Sequence, residues 1–311
     1  MSPSDMPGPT TACPRSSAPD PLGLELLARE LAVGAGAIVR GERPERLTID
    51  TKSSRSDVVT QMDGRAEAYV RDRLARLRPG DAVLGEETGR GAGTNEITWV
   101  VDPIDGTVNY LYGNPEYAVS LAAVVGDPTI VGQWLPIAGA VAHPEARLVY
   151  SAARGHGAWV RRIEPSDVEL TDRGDYPGQG HPRDGDRLAP SGGDSLELTL
   201  LGTGFAYVAQ ERRRQARELL EILPQVRDIR RGGSAALDLC AVAAGRLDAY
   251  YERGINAWDI AAGWLIVTEA GGLVSGVGGD EPTNAGIVAA TPGVHAALRD
   301  LIERVTLGRR P

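Results

Sequence analysis

The sequence predicts a mixed α/β protein of two lobes, an α+β lobe followed by an α/β lobe. Strand signals crowd between residues 81 and 153, with helix signals only before them. From residue 196 strands and helices alternate to the end, the pattern of an α/β unit. The scale fits as well: 311 residues, 42% hydrophobic and 24% charged, are enough to bury a sizeable core.

Residues 1–21, "MSPSDMPGPTTACPRSSAPDP", are rich in Pro, Ser and Thr and carry neither a basic flank nor an apolar stretch. They predict a disordered tail rather than a signal peptide. The first lobe is expected over 22–195. A helix fits 24–40, with Leu24, Leu27, Leu31 and Ile38 on one face. The polar, turn-rich "TIDTKSSRSDVVTQMD" predicts a mobile hairpin or loop. A second helix fits 63–77, with Ala66, Tyr69, Val70 and Leu74 facing inward and "RPGD" ending it. Strands follow at "DAVLG", "ITWVVDP", "YAVSLAAVV", "IVGQWLPIAGAVAH" and "RLVYSAA". Residues 163–195 hold few apolar residues and predict a polar surface insertion. Its "DGD" resembles the opening of a calcium loop, but Ser195 stands where the bidentate Glu belongs.

The second lobe is expected over 196–311. It opens with the strand "LELTLLGTG" and a helix at 208–223, then the strand "VRDI" and a helix at 234–244. The strand "LDAYYE" and a helix at 258–270 come next, and "GIVAAT" precedes a last helix at 293–306.

Composition excludes several functions. No apolar run approaches the roughly 18 residues of a membrane span. A net charge of -9 argues against a general nucleic-acid binder. A chain this acidic that handles phosphate calls for a metal cation between its carboxylates and that phosphate. Two cysteines, Cys13 in the tail and Cys240 in an apolar helix, offer no disulfide framework and predict a cytoplasmic address. None of the four histidines has a partner at zinc-ligand spacing. The glycine-rich "GVGGDEP" lacks the Lys of a phosphate loop and predicts a turn. The run "QERRRQAR" predicts a solvated face or a dimer contact. Lys52 is the single lysine among 33 basic residues, which asks for a reason.

Three acidic clusters could carry chemistry: "LGEETG" with Glu86, "WVVDPIDGTVNY" with Asp102 and Asp105, and "NAWDIAAGW" with Asp259. Each has a plain alternative, since Glu86 could be a solvated loop acid, and Asp105 and Asp259 could cap a turn and a helix. The middle stretch is more specific. Pro103 disfavours helix at Asp102 and holds it extended at a strand end. Asp105-Gly106-Thr107 then turns with backbone N–H groups available to an anion. Two carboxylates and the Ile104 carbonyl beside such a nest are the hard oxygen ligands Mg²⁺ prefers.

"DPIDGT", with "GEET" before it and "WDIAAGWLIVTEAGG" downstream, resembles the inositol monophosphatase family of Mg²⁺-dependent, lithium-sensitive phosphatases. The resemblance runs from about Thr48 to Ala290, broken mainly at 163–195. It implies the layered αβαβα sandwich of the sugar phosphatases, a homodimer and two to three Mg²⁺ ions. By resemblance, Glu86, Asp102 and the Ile104 carbonyl hold the first ion, and Asp102, Asp105 and Asp259 the second. Glu86 also helps hold a weaker third. Thr107 and Asp63 orient and deprotonate the attacking water; Asp63 also reads as a helix cap. Lys52 falls where the family places a basic residue near the metals, although a surface lysine is the alternative. Gly233, Ser234 and Ala235 correspond to the segment that contacts sugar-like hydroxyls, and Glu252 to the acid that bonds inositol hydroxyls. Asp105 and Asp259 share that task, and Gly106 exposes backbone to the phosphate.

The implied activity is hydrolysis of myo-inositol 1-phosphate or a close relative. Fructose 1,6-bisphosphate, histidinol phosphate and 3′-phosphoadenosine 5′-phosphate are alternatives on the same fold, although no aromatic or basic patch suited to adenine stands out. Some relatives are associated with RNA polymerase and RNA processing, so a binding protein on this fold is the alternative of another class.

Overall fold

The computed structural model describes residues 19–45, 47, 49–51, 58–168 and 185–308. A large sheet runs in the order β10-β9-β8-β7-β6-β5-β3-β4. Its strands are Asp186–Arg187 (β10), Ala158–Arg162 (β9), Leu148–Ala153 (β8), Trp134–His143 (β7), Ala118–Gly126 (β6), Ile97–Asp105 (β5), Ala82–Gly85 (β3) and Gly89–Arg90 (β4). Neighbours are antiparallel except β3 and β5, which run parallel. Every residue of β5 is buried. This explains why its sequence is a continuous apolar run rather than an alternation: both faces of the sheet are covered.

One face packs against the helices Pro21–Gly41 and Gln61–Leu77, where Leu27, Leu31, Val70 and Leu74 meet Trp99, Val119 and Leu121. The other face packs against the helices Ala235–Ala243 and Ala257–Ala270. Gly139 lets the second of these lie flush on the sheet, because a Cβ there would stand 3.1 Å from the Ala262 Cα. This helix pair is apolar nearly all round, since its far side packs on a second sheet, with Leu239, Cys240 and Ile266 sharing a core with Tyr250 and Ala289. The small sheet has the order β12-β11-β13-β15-β14. Its strands are Asp228–Arg230, Leu200–Thr203, Ala249–Glu252, Ile287–Ala290 and Leu273–Gly276, in that order. The helices Ala209–Ile222 and Pro292–Leu307 close its outer face, with Ile222, Leu298 and Ile302 against Leu201 and Val288. The layers are therefore helix, sheet, helix, sheet, helix, as the resemblance implies.

Several elements depart from the sequence expectation. The first helix begins at Pro21, because a proline at the first helical position loses nothing there; residues 1–18 of the expected tail lie outside the described residues. The expected hairpin has arms Ile49–Thr51 (β1) and Val58–Thr60 (β2), paired antiparallel, while Lys52 lies outside the described residues. "LELTLLGTG" pairs only from Leu200, and Leu196–Leu198 forms a 3-10 turn instead. The polar stretch at 163–195 is described only at its ends, and its C-terminal end is not a surface loop. There β10 pairs with β9, Leu188 is buried, and the Ser191 hydroxyl donates to Asp248 at 2.5 Å.

The parallel pair β3–β5 positions the site. Gly85 ends β3 opposite Val101, so Glu86 leaves its strand at the level of Asp102 in β5. The Glu86 N–H donates to the Val101 carbonyl at 3.2 Å and fixes that level.

Candidate active site

The register of β5 against β6 breaks inside the acidic motif. Asp102 faces Ser120 and Asp105 faces Ala118, so Pro103 and Ile104 oppose Val119 alone. Proline has no N–H to give the ladder, and the extra residue re-aims the two acids that flank it. Asp102 Oδ1 accepts from the Ile104 N–H at 3.1 Å. Gly106 then turns the chain at φ +95°, where a Cβ would meet the Glu116 and Gly233 carbonyls at 3.0 and 3.2 Å. Only glycine fits both the angle and the space. The short helix Thr107–Tyr112 follows.

Ligand oxygens of Asp102, Asp105 and Asp259 lie within 4.8 Å of one another. Asp102 and Asp105 are buried, Asp259 is half-buried, and Glu86 lines the same cavity of about 440 Å³. Asp259 is also the helix cap the sequence allowed: its Oδ2 accepts from the Asn256 N–H at 2.5 Å in a capping box. Asp105 Oδ2 accepts from the Ser234 hydroxyl and the Ala236 N–H, both at 2.6 Å. Burial, then Glu86, Asp105 and Asp259, push the Asp102 carboxyl well above the ordinary range. Burial, then Glu86 and Asp105, do the same to Asp259. Burial raises Asp105 to about 6 against its hydrogen bonds from Ser234 and Ala236. Charge confined in this way is what a divalent cation relieves, and the all-oxygen donor set fits a hard ion.

A stability test follows from the direction of these shifts. Carboxyls whose pKa is higher folded than unfolded stabilise the fold below the unfolded value and lose that contribution as pH rises through the folded one. In chelator, the melting temperature is expected to fall between pH 5 and pH 8, spanning the Asp105 value of about 6. Saturating divalent cation should flatten this slope, and equal slopes with and without the ion would count against a cation site.

Beside the cluster, Thr107 and Asp63 are paired. The Thr107 hydroxyl stands 3.3 Å from Asp63 Oδ1 and 2.9 Å from the Ile104 carbonyl, so its one proton has two acceptors. Asp63 Oδ2 is fixed by the Thr60 N–H at 2.8 Å and the Thr60 hydroxyl at 2.6 Å, within a capping box. Asp63 is fully buried behind Thr107 rather than on the cavity wall. The far wall holds Gly233, Ser234, Ala235 and Glu252. Ser234 caps its helix, accepting from the Leu237 N–H at 3.2 Å while it donates to Asp105. Glu252 ends β13 and accepts from the Tyr250 hydroxyl.

The sequence profile of the inositol monophosphatase family matches residues 24–306. This chain belongs to the inositol monophosphatase family. Inositol-1-monophosphatase SuhB of Mycobacterium tuberculosis is 46% identical over 302 residues, covering 92% of this chain and 95% of the relative. The solved structure of Mycobacterium tuberculosis SuhB superposes with a TM-score of 0.72 at 45% identity, covering 92% of this chain and 98% of that one. A relative named Nus factor SuhB, from Xylella fastidiosa, is 36% identical over 268 residues, covering 83% of this chain and 86% of its own.

Within this inositol monophosphatase fold, the cavity also gathers residues the sequence reading passed over. Phe205 and Tyr207 line its mouth, as do Arg231 and Arg253, so aromatic and basic groups are present after all. Asp238 lies on the same wall, four residues after Ser234, a helical spacing that could have flagged it. Asn109 is buried outside the cavity and ties the segment before β6 to the one that leads into Gly233. Its Nδ2 donates to the Glu116 carbonyl at 2.5 Å and to the Gly232 carbonyl at 3.0 Å. Asn109→Ala strips both carbonyls of this donor, an expected cost of about 1–3 kcal/mol by chemical denaturation. Because Gly232 leads into Gly233 and Ser234, KM should also rise several-fold. An unchanged KM in the variant would show that the tie serves stability alone.

Proposed function

We propose that this chain is a Mg²⁺-dependent phosphatase that hydrolyses myo-inositol 1-phosphate, or a closely related phosphate monoester, to the free polyol and phosphate. The observation that carries this is the convergence of Asp102, Asp105 and Asp259 within 4.8 Å beside the Thr107–Asp63 pair. The name of the Mycobacterium tuberculosis relative supports the choice of substrate.

Glu86, Asp102, the Ile104 carbonyl, Asp105 and Asp259 would hold two to three Mg²⁺ ions, which when bound supply Lewis acidity to the attacking water and the leaving oxygen. The chain's own groups do the rest. The Thr107 hydroxyl, 3.3 Å from Asp63 Oδ1, can donate its proton to Asp63 and present a lone pair to the attacking water. Thr60 grips the other oxygen of Asp63, so the base does not swing away. Gly106 and the start of the Thr107–Tyr112 helix offer backbone N–H groups to phosphate oxygens. Ser234, Ala235 and Glu252, on the far wall of the cavity, would face the polyol. Lys52, on the β1–β2 segment, belongs to this proposal as a point charge toward phosphate.

Phosphate release from a panel of esters tests the proposal: inositol 1-phosphate, fructose 1,6-bisphosphate, histidinol phosphate and 3′-phosphoadenosine 5′-phosphate. The highest kcat/KM is expected for inositol 1-phosphate. A bisphosphate or nucleotide turned over tenfold better would overturn the substrate assignment. The Xylella fastidiosa relative's name favours a second reading, binding to transcription or RNA-processing partners. Stoichiometric partners recovered on an inactive Asp102→Asn chain would support it.

A further inference from the structure

Asp238 stands out among the acids of the cavity. It lies in the first turn of the Ala235–Ala243 helix, lines the cavity and is only 9% exposed. Asp105 receives two donors and Glu252 receives the Tyr250 hydroxyl, but no hydrogen bond from the described residues reaches the Asp238 carboxylate. Burying a carboxyl without a hydrogen-bond partner is costly, and a cavity wall is where a ligand can repay that cost.

The backbone around it is cut back to make room. A Cβ on Gly232 would lie 2.5 Å from Asp238 Oδ1, and a Cβ on Gly204 would lie 2.1 Å from Glu252 Oε2. Two glycines thus let two carboxyls sit against the chain at the cavity wall. Burial first, then Asp105 and Glu252, raise the Asp238 carboxyl to about 8, opposed by Arg231. Arg253 is held by Glu218 at 2.6 Å.

We infer that Asp238 is a second polyol-binding acid beside Glu252, accepting a hydrogen bond from a substrate hydroxyl that Glu252 does not reach. The pair makes the leaving-group end of the cavity selective for a neutral, many-hydroxyl alcohol over one that bears a second phosphate. Asp238 therefore acts on specificity. This inference rests on the phosphatase reading above and deepens it.

The test compares Asp238→Asn and Asp238→Leu with the unaltered chain on inositol 1-phosphate, glycerol 2-phosphate and fructose 1,6-bisphosphate, all with saturating Mg²⁺. For inositol 1-phosphate, kcat/KM should fall about tenfold further than for glycerol 2-phosphate, mostly through KM, with Leu worse than Asn. The ratio of bisphosphate to inositol phosphate turnover should rise in both variants. Equal losses on all three esters would assign Asp238 a structural role, and no loss would deny it any; either overturns the inference. Should Asp238→Leu fail to fold, Asp238→Asn, which keeps the side-chain shape, decides alone: its loss on inositol 1-phosphate should exceed its loss on glycerol 2-phosphate, and equal losses overturn the inference. An unaltered chain inert to inositol 1-phosphate would sink the function proposal itself, whereas an active chain with a flat response sinks only the role of Asp238.

Discussion

Asp102→Asn is expected to lower kcat by at least about a thousandfold, roughly 4 kcal/mol of transition-state stabilisation, and to abolish tight Mg²⁺ binding with it. The variant changes one oxygen for an amide nitrogen, so shape is conserved and charge is not. Asp102 is 1% exposed, and its carboxyl is pushed up by burial and by three neighbouring acids. In the proposed function a bound cation would repay the cost of ionising it. Without metal the same substitution removes repulsion, so the melting temperature of the chelated variant should exceed that of the chelated unaltered chain. Calorimetric titration with Mg²⁺ and a melting curve in chelator would measure both effects. Near-normal turnover in Asp102→Asn would remove the basis of the mechanism.

Thr107→Ala should lower kcat about a hundredfold or more, while Mg²⁺ affinity and KM stay close to those of the unaltered chain. In the proposed mechanism the hydroxyl bridges the attacking water to Asp63, whose position is set by Thr60, so its loss would leave the carboxylate cluster intact. Thr107→Ser keeps the hydroxyl and should retain most of the activity. A parallel collapse of metal affinity, or a serine variant as poor as the alanine one, would place Thr107 among the metal-site supports instead.

Much of this site was legible in the sequence because its parts are local. "DPIDGT" carries its own geometry: a proline that ends regular pairing, a glycine at positive φ and acids on either side. Asp63 and Asp259 were legible as helix caps, and each indeed sits in a capping box. What local patterning could not show is convergence. Glu86 comes beside Asp102 because β3 and β5 run parallel with Gly85 opposite Val101, a pairing set by the sheet. Asn109 acts across 123 residues on Gly232, and its short helix is too brief to leave a periodic signal. Phe205 and Tyr207 are apolar residues on a loop, which reads as ordinary until the cavity is seen. The β10 segment hid in a polar stretch because an edge strand two residues long needs no apolar alternation.

The central claim is that this cluster of carboxylates hydrolyses a phosphate ester only with a divalent cation in place. Phosphate release from inositol 1-phosphate, followed through chelation and return of Mg²⁺, tests it most directly. Turnover should fall to background in chelator and return fully and saturably with Mg²⁺. Undiminished turnover by protein shown by elemental analysis to be free of metal would contradict it.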